Sequence, residues 1–277
     1  METDGVRHGV RIAHDGHIPH GVRVERDGPI VTILLDRPEL LNRIDRDVHE
    51  ELESVFKHVA KLADIRAVVF AARGDVFSAG GDFDFILDQN AQADRHNMIK
   101  DAVAFFNAFL SIPFPVVVAL QGDVAGIGSS LVLSADAVVS HPQVRISDPH
   151  VVVGLAAGDG GCVAWPLSAG MMLAKRHLLT GQPISAADAH RVGLISDLVG
   201  TGADVLPAAH RLAQTIAALP PIAVQGTKLA LNHLVRQRFA EVGEMAAAME
   251  YESLKSRDVI EAVAAIRERR NPRYNGS

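Results

Sequence analysis

The chain reads as an α/β protein with a helical C-terminal part. Short apolar runs rich in β-branched residues alternate with helical patterns up to about residue 200. Two strands run into glycine-rich turns, at Gly74–Asp82 and at Gln121–Gly128. From about Asp204 the pattern is helical throughout. The order of strands and helices followed by helices alone is what separates this class from an all-β or all-α chain. With 277 residues, 48% of them hydrophobic, the chain is long enough to bury one large core.

Residues 1–21 are polar and read as a mobile tail ahead of an α/β core over 22–200 and a helical region over 201–277. The stretch up to residue 22 carries His8, His14, His17 and His20, whose spacing matches no standard metal-ligand pattern. Val22–Glu25 and Pro29–Leu35 flank Asp27-Gly28, a hairpin signal. Asp36-Arg37-Pro38 ends it. Asp45 is placed to cap a helix running to about Leu62, with Val48, Leu52, Val55, Phe56 and Val59 at helical spacing. Ala67–Ala71 is a short buried strand that leads into the first glycine turn. A helix follows from about Met98 to Leu110, and Pro113 and Pro115 bracket the entry to the strand Pro115–Leu120. Residues 128–134 form the next helix. Leu167–Leu179 reads as one helix stopped by Thr180-Gly181. Ser185-Ala-Ala-Asp188 resembles a capping box before a short helix that Gly193 ends, and Ile195–Val199 is the last strand. Pro220-Pro221 separates two long helices, and a third covers about Val259–Arg269.

Bulk properties narrow the function. A net charge of −6 argues against nucleic acid or an anionic membrane as the main partner. Aromatic residues make up 5%, too few for a base-stacking platform. No apolar run approaches the ~20 residues of a membrane span. The start of the chain carries charges and histidines rather than an apolar signal region. Cys162 is the single cysteine, so no intrachain disulfide forms, and a cytoplasmic setting is expected. Gly126-Ile-Gly128 lacks the third glycine of a dinucleotide fingerprint.

The chemistry concentrates between Gln121 and Gly161. A strand that ends in a glycine turn and opens a helix presents free backbone N–H groups and a positive dipole end. Such a corner stabilises a carbonyl oxygen that becomes an anion. Ser147-Asp-Pro-His150 and Gly158-Asp-Gly-Gly161 then supply His150 and Asp159. An oxyanion corner and an acid/base pair sharing one pocket are therefore expected. Each residue also has a structural alternative. His150 can be a turn residue, and Asp159 is placed to cap a helix starting near Gly160. Ser129 and Ser130 can cap a helix, and Cys162 fits a small buried position. Trp165 can pack the core or wall the pocket, while His49 and Glu250 can face solvent on helices.

Phe77-Ser-Ala-Gly-Gly-Asp82, Gln121-Gly…Gly126-Ile-Gly128…Asp136, Gly154…Gly160-Gly161 and Leu179-Thr-Gly…Ala186-Ala…Ala189…Gly193-Leu194 together resemble the crotonase superfamily, the enoyl-CoA hydratase/isomerase family. The resemblance covers about residues 22–272. It implies a spiral of ββα units, a helical C-terminal region that serves trimerisation, and a homotrimer or homohexamer. It places an oxyanion hole at the backbone N–H groups of Gly81 and Ile127. It implies an enzyme on a small-molecule substrate, with no metal or redox cofactor and with coenzyme A possible as a substrate moiety.

Two departures stand out. The glutamates with which hydratases place water are replaced by Ser130 and His150. Two positions where hydratases often carry lysine near the coenzyme A phosphates read Glu39 and Asp84, leaving Arg43, Arg73 or a neighbouring subunit as replacements. The His150/Asp159 pair instead resembles the β-diketone hydrolase branch of the family, the group similar to 6-oxocamphor hydrolase. His49 and Glu250 fall on supporting positions of that branch, and Ile127 replaces a further histidine of it; Ser130 and Trp165 are expected, with His49 and Glu250, to bind substrate along the pocket wall. The resemblance implies hydrolytic carbon–carbon cleavage with His150 as base and Asp159 as its orienter or the later proton donor. The alternatives are an acyl-CoA thioester enzyme and a non-catalytic oligomeric scaffold.

Overall fold

The computed structural model describes residues 20–92 and 94–277 of the chain. His8, His14 and His17 lie outside the described residues. Val22–Asp27 (β1) and Ile30–Leu35 (β2) form the expected antiparallel hairpin, with Asp27 opposite Ile30. Gly28 turns it at φ +54°, a conformation that costs glycine little. Asp45 accepts a hydrogen bond from the Val48 N–H at 3.0 Å and opens α1 (Arg46–Val59). Val48, Leu52, Val55, Phe56 and Val59 are its buried stripe, as the spacing predicts.

Strands and helices then alternate. Ala67–Ala72 (β3) and Val76–Ser78 (β4) precede Phe83–Gln92 (α2) and Arg95–Leu110 (α3). Val116–Leu120 (β5) and Asp123–Ala125 (β6) precede Ile127–Leu133 (α4), and Ala137–Ser140 (β7) and Arg145–Ser147 (β8) precede a 3-10 turn at His150–Val153. Gly161–Ala169 (α5), Met171–Thr180 (α6), Ile184–Ser185 (β9), Ala186–Arg191 (α7) and Asp197–Leu198 (β10) complete the spiral. Gly202–Ala217 (α8), Pro221–Leu254 (α9) and Arg257–Glu268 (α10) close the chain.

The strands deal alternately into two sheets. One has the order β1-β2-β3-β5-β7-β10 and is parallel from β2 onward; the other has the order β4-β6-β8-β9. Each turn of the spiral adds a strand to each sheet. All five residues of β5 are buried, as a parallel strand covered on both faces requires. Val205, Ala209, Ala213 and Ala217 of α8 cover one face of the larger sheet. The other face carries Phe56, Phe70, Phe77, Phe105 and Phe109, packed edge to face or tilted at 5.1–6.4 Å. Full burial of each such ring contributes about 1.5–3 kcal/mol. Lys228 on α9 donates to Asp136 Oδ2 at 2.6 Å and to the Phe114 carbonyl at 2.7 Å, tying that helix to the base of β5 and β7.

Three expectations about helices change. The single helix over 167–179 is two, α5 and α6, because Gly170 adopts φ +81° and ψ 157° between them. α3 begins at Arg95 rather than Met98, because Asp94 accepts from the Asn97 N–H at 3.1 Å. Asp159 does not cap α5. Gly160, at φ +95°, takes the N-cap position, and the Asp159 side chain turns back to His150. Among the described residues, no helix is long and apolar enough to cross a membrane.

Candidate active site

The site sits where the two glycine turns meet the segment after β8. β4 ends at Ser78, whose hydroxyl donates to the Asn42 carbonyl at 2.8 Å and accepts from the Gly80 N–H at 3.2 Å. Gly80 adopts φ +84°, and a Cβ there would lie 3.0 Å from the Ala125 carbonyl oxygen, so the two turns touch through backbone. Gly81 follows. On the second turn Gly126 caps α4 at φ +52°, and Ile127 is the first helical residue, so its N–H has no acceptor within the helix. Gly81 and Ile127 line one cavity of about 820 Å³. The same cavity is lined by His150, Asp159, Glu250 and His49.

His150 opens the 3-10 turn and is 8% exposed. Its Nδ1 meets Asp148 Oδ1 in a short contact, and its Nε2 lies 3.1 Å from Asp159 Oδ2. The ring is held between two carboxylates. Asp148 is fully buried, and its Oδ2 has no hydrogen-bond partner among the described residues. That oxygen packs against Gly161, the first residue of α5, so closely that a Cβ there would overlap it. Burial works against a charge on His150, but Asp159 and then Asp148 outweigh it and hold the imidazole well above its ordinary value. Burial raises the Asp159 carboxyl, and the charge on His150 opposes that rise.

Glu250 reaches the cavity from α9. Burial, with Asp159 adding to it, raises its carboxyl to about 8, so it is a neutral acid near pH 7. His49, on α1, stacks on Phe105 with ring centroids 4.1 Å apart, and burial lowers its pKa. Cys162, expected at a small buried position, is exposed on α5; partial desolvation and then the charge of Asp148 raise its thiol, so it is not a thiolate near pH 7. Ser130 and Trp165, expected on the pocket wall, do not line the cavity. Ser130 faces inward on α4, and Trp165 is fully buried against His177 at 5.7 Å between centroids. Asp148 was not singled out from sequence. Its place two residues before His150, across a proline, was the available signal.

Asp148, His150 and Asp159 offer donor atoms that all lie within 4.8 Å of one another, as a metal site would require. Asp148 is hydrogen-bonded to the ring at Nδ1, and Asp159 Oδ2 lies 3.1 Å from Nε2. A cation would have to displace a carboxylate from the imidazole to bind.

The replacement cations near the expected coenzyme A positions are engaged. Arg43 pairs with Asp82 at 2.6 Å and Arg73 with Asp36 at 3.5 Å, while Glu39 and Asp84 are exposed, the latter paired with Arg267 at 2.5 Å.

The profile of the enoyl-CoA hydratase/isomerase family matches residues 25–277. An enoyl-CoA isomerase/hydratase of Mycosarcoma maydis, fer4, is 28% identical over 253 residues, covering 88% of this chain and 92% of that protein. A short-chain-enoyl-CoA hydratase of Clostridium acetobutylicum is 28% identical over 204 residues, covering 73% of this chain and 77% of that one. The crystal structure of an enoyl-CoA hydratase/isomerase from Mycobacterium paratuberculosis superposes with a TM-score of 0.82 at 33% identity, covering 89% of this chain and 98% of that one. The chain therefore belongs to the enoyl-CoA hydratase/isomerase family and carries the crotonase fold.

Proposed function

We propose that the protein hydrolyses the carbon–carbon bond between the two carbonyls of a small β-diketone, a retro-Claisen reaction. The observation that carries this reading is the His150–Asp159 pair, 3.1 Å apart, on the wall of the cavity that also holds Gly81, Ile127 and Glu250. The pair takes a proton from water, and the water oxygen adds to one carbonyl carbon. The backbone N–H groups of Gly81 and Ile127 stabilise the oxyanion, a contribution of a few kcal/mol per donor. The tetrahedral adduct collapses by breaking the bond to the carbon between the carbonyls. That carbon leaves as an enolate and takes a proton from an acid of the site, for which neutral Glu250 is suited. The products are a carboxylic acid and a ketone, joined in one molecule when the diketone is cyclic.

The charge around the cavity supports a substrate without phosphates. Glu50, Glu53, Asp88, Asp94 and Asp101 line it against Arg46, with Glu53 paired to Lys57. Such an edge repels a polyphosphate. A second reading, an acyl-CoA thioester enzyme, is favoured by the activities in the names of the relatives. We infer a homo-oligomer from α9, where Leu229, Leu231, Leu234 and Met245 are each at least 60% exposed.

A panel of cyclic β-diketones and an enoyl-CoA, each assayed with the wild type and with His150→Ala, tests the reading. Diketone turnover that falls by roughly 10²–10⁴-fold in the variant supports it. Enoyl-CoA hydration with no diketone turnover replaces it with the thioester reading. Inactivity on both returns the scaffold alternative.

A further inference from the structure

We propose that Asp148 is a positioning residue that holds His150 as a doubly donating imidazolium, and that Asp159, not His150, is the base of this site. This rests on the acid/base reading above and reassigns its roles. The argument is a count of hydrogens. A carboxylate oxygen accepts and does not donate, and a neutral imidazole donates from one nitrogen only. His150 faces a carboxylate oxygen at each nitrogen, Asp148 Oδ1 at Nδ1 and Asp159 Oδ2 at Nε2. One is a hydrogen bond and the other an ion-pair distance, and two ionised carboxylates are both matched by the ring when both nitrogens carry hydrogen. No ring lone pair is then left to take a proton from water.

Exposure points the same way. The Asp148 side chain is 0% exposed and the His150 side chain 10%, whereas Asp159 is 15% exposed and lines the cavity. Asp148 is immobilised by α5, because its second oxygen fills the space that Gly161 leaves by lacking a Cβ. The His150 ring is packed on its other side by Gly126, where a Cβ would lie 3.5 Å from Cε1. The ring therefore has little room to swing away from its two partners. The other titratable groups around this cluster are Glu250 on α9 and Cys162 on α5. The first is a neutral acid and the second a thiol near pH 7, so neither supplies a further charge to His150.

In this assignment Asp159 removes the proton from water while the fixed positive charge of His150 lies against it. The imidazolium keeps both of its protons through that step. Asp148 touches no reacting atom. It acts by keeping the second proton on the ring.

The test reads protons directly and needs no substrate. The ring nitrogens of the ¹⁵N-histidine-labelled full chain are recorded at pH 7.5, with the His150 signals assigned by their loss in His150→Gln. Two protonated nitrogens are expected in the wild type, and loss of one of them in Asp148→Asn. A neutral ring with one bare nitrogen in the folded wild type overturns the proposal, whatever substrate the enzyme uses. If Asp148→Asn does not fold, the wild-type spectrum decides alone. On whichever substrate is turned over, Asp148→Asn is expected to lower kcat by roughly 10²-fold with little change in KM and to shift the kcat–pH profile. An unshifted profile in that folded variant also contradicts the assignment.

Discussion

Asp148 and Gly161 fit each other. The buried Oδ2 of Asp148 occupies the place where a side chain on Gly161 would begin. Gly161 is not in the left-handed region, so an alanine there meets no backbone penalty and collides mainly with that carboxylate. Gly161→Ala is expected to keep the fold at a cost of about 1–3 kcal/mol, as overpacking does. It should also displace Asp148 from His150 and lower kcat by at least about ten-fold. Thermal unfolding and steady-state kinetics check both halves, and a variant with full activity would contradict the tight fit.

Ile127 separates the backbone donor from the side chain at the proposed oxyanion hole. It is the first residue of α4, a position where proline is tolerated and where only the N–H is lost. Ile127→Pro is expected to lower kcat by roughly 10²–10³-fold with little loss of stability. Ile127→Ala keeps the N–H and should retain most of kcat while accepting bulkier substrates. Equal losses in the two variants would show that the side chain, not the donor, matters.

Glu250 sets a pH dependence of stability. Its pKa in the folded chain is about 8, against an ordinary value of 4.5. Between those values the unfolded chain has released the proton that the folded chain still binds. Stability therefore falls with rising pH across that window, by about 1.4 kcal/mol per unit at most, and levels off above about pH 8. Glu250→Gln removes this slope, so the variant should gain on the wild type in denaturant midpoint from pH 5 to pH 8. Parallel curves would mean that Glu250 is ionised in the folded protein.

Lys228 is a buried cation with two partners, Asp136 and the Phe114 carbonyl. Lys228→Met strands the Asp136 carboxylate, although that oxygen still accepts from the Val116 N–H at 2.6 Å. A loss of about 3–5 kcal/mol is expected in urea unfolding. Lys228→Met combined with Asp136→Asn should lose less than the sum of the two single changes.

Much of this was legible in the sequence where the signal is local. The Asp45 cap and the stripe from Val48 to Val59 follow from spacing alone, and both form as read. In the larger sheet, β1 and β2 were visible as a hairpin, and β3 and β5 as apolar runs. Those of the smaller sheet have two or three residues each, too short to leave a pattern. The break at Gly170 was hidden because the apolar residues on either side keep helical spacing through it. At the site, His150 and Asp159 were legible as titratable residues in a glycine-rich stretch. The part of Asp148 was not, because its meaning depends on the 3-10 turn that folds His150 back over Pro149, and on a glycine thirteen positions on. The motif position of Ser130 predicts a pocket-facing side chain, but the turn of α4 points it into the core.

The most direct measurement is the fate of water oxygen. A cyclic β-diketone is incubated with the enzyme in H₂¹⁸O, and the product is weighed by mass spectrometry. The account predicts a keto acid whose carboxyl carries one ¹⁸O from solvent and whose new C–H bond carries deuterium when D₂O is used. Intact diketone in every case, beside rapid hydration of an enoyl-CoA, would contradict it.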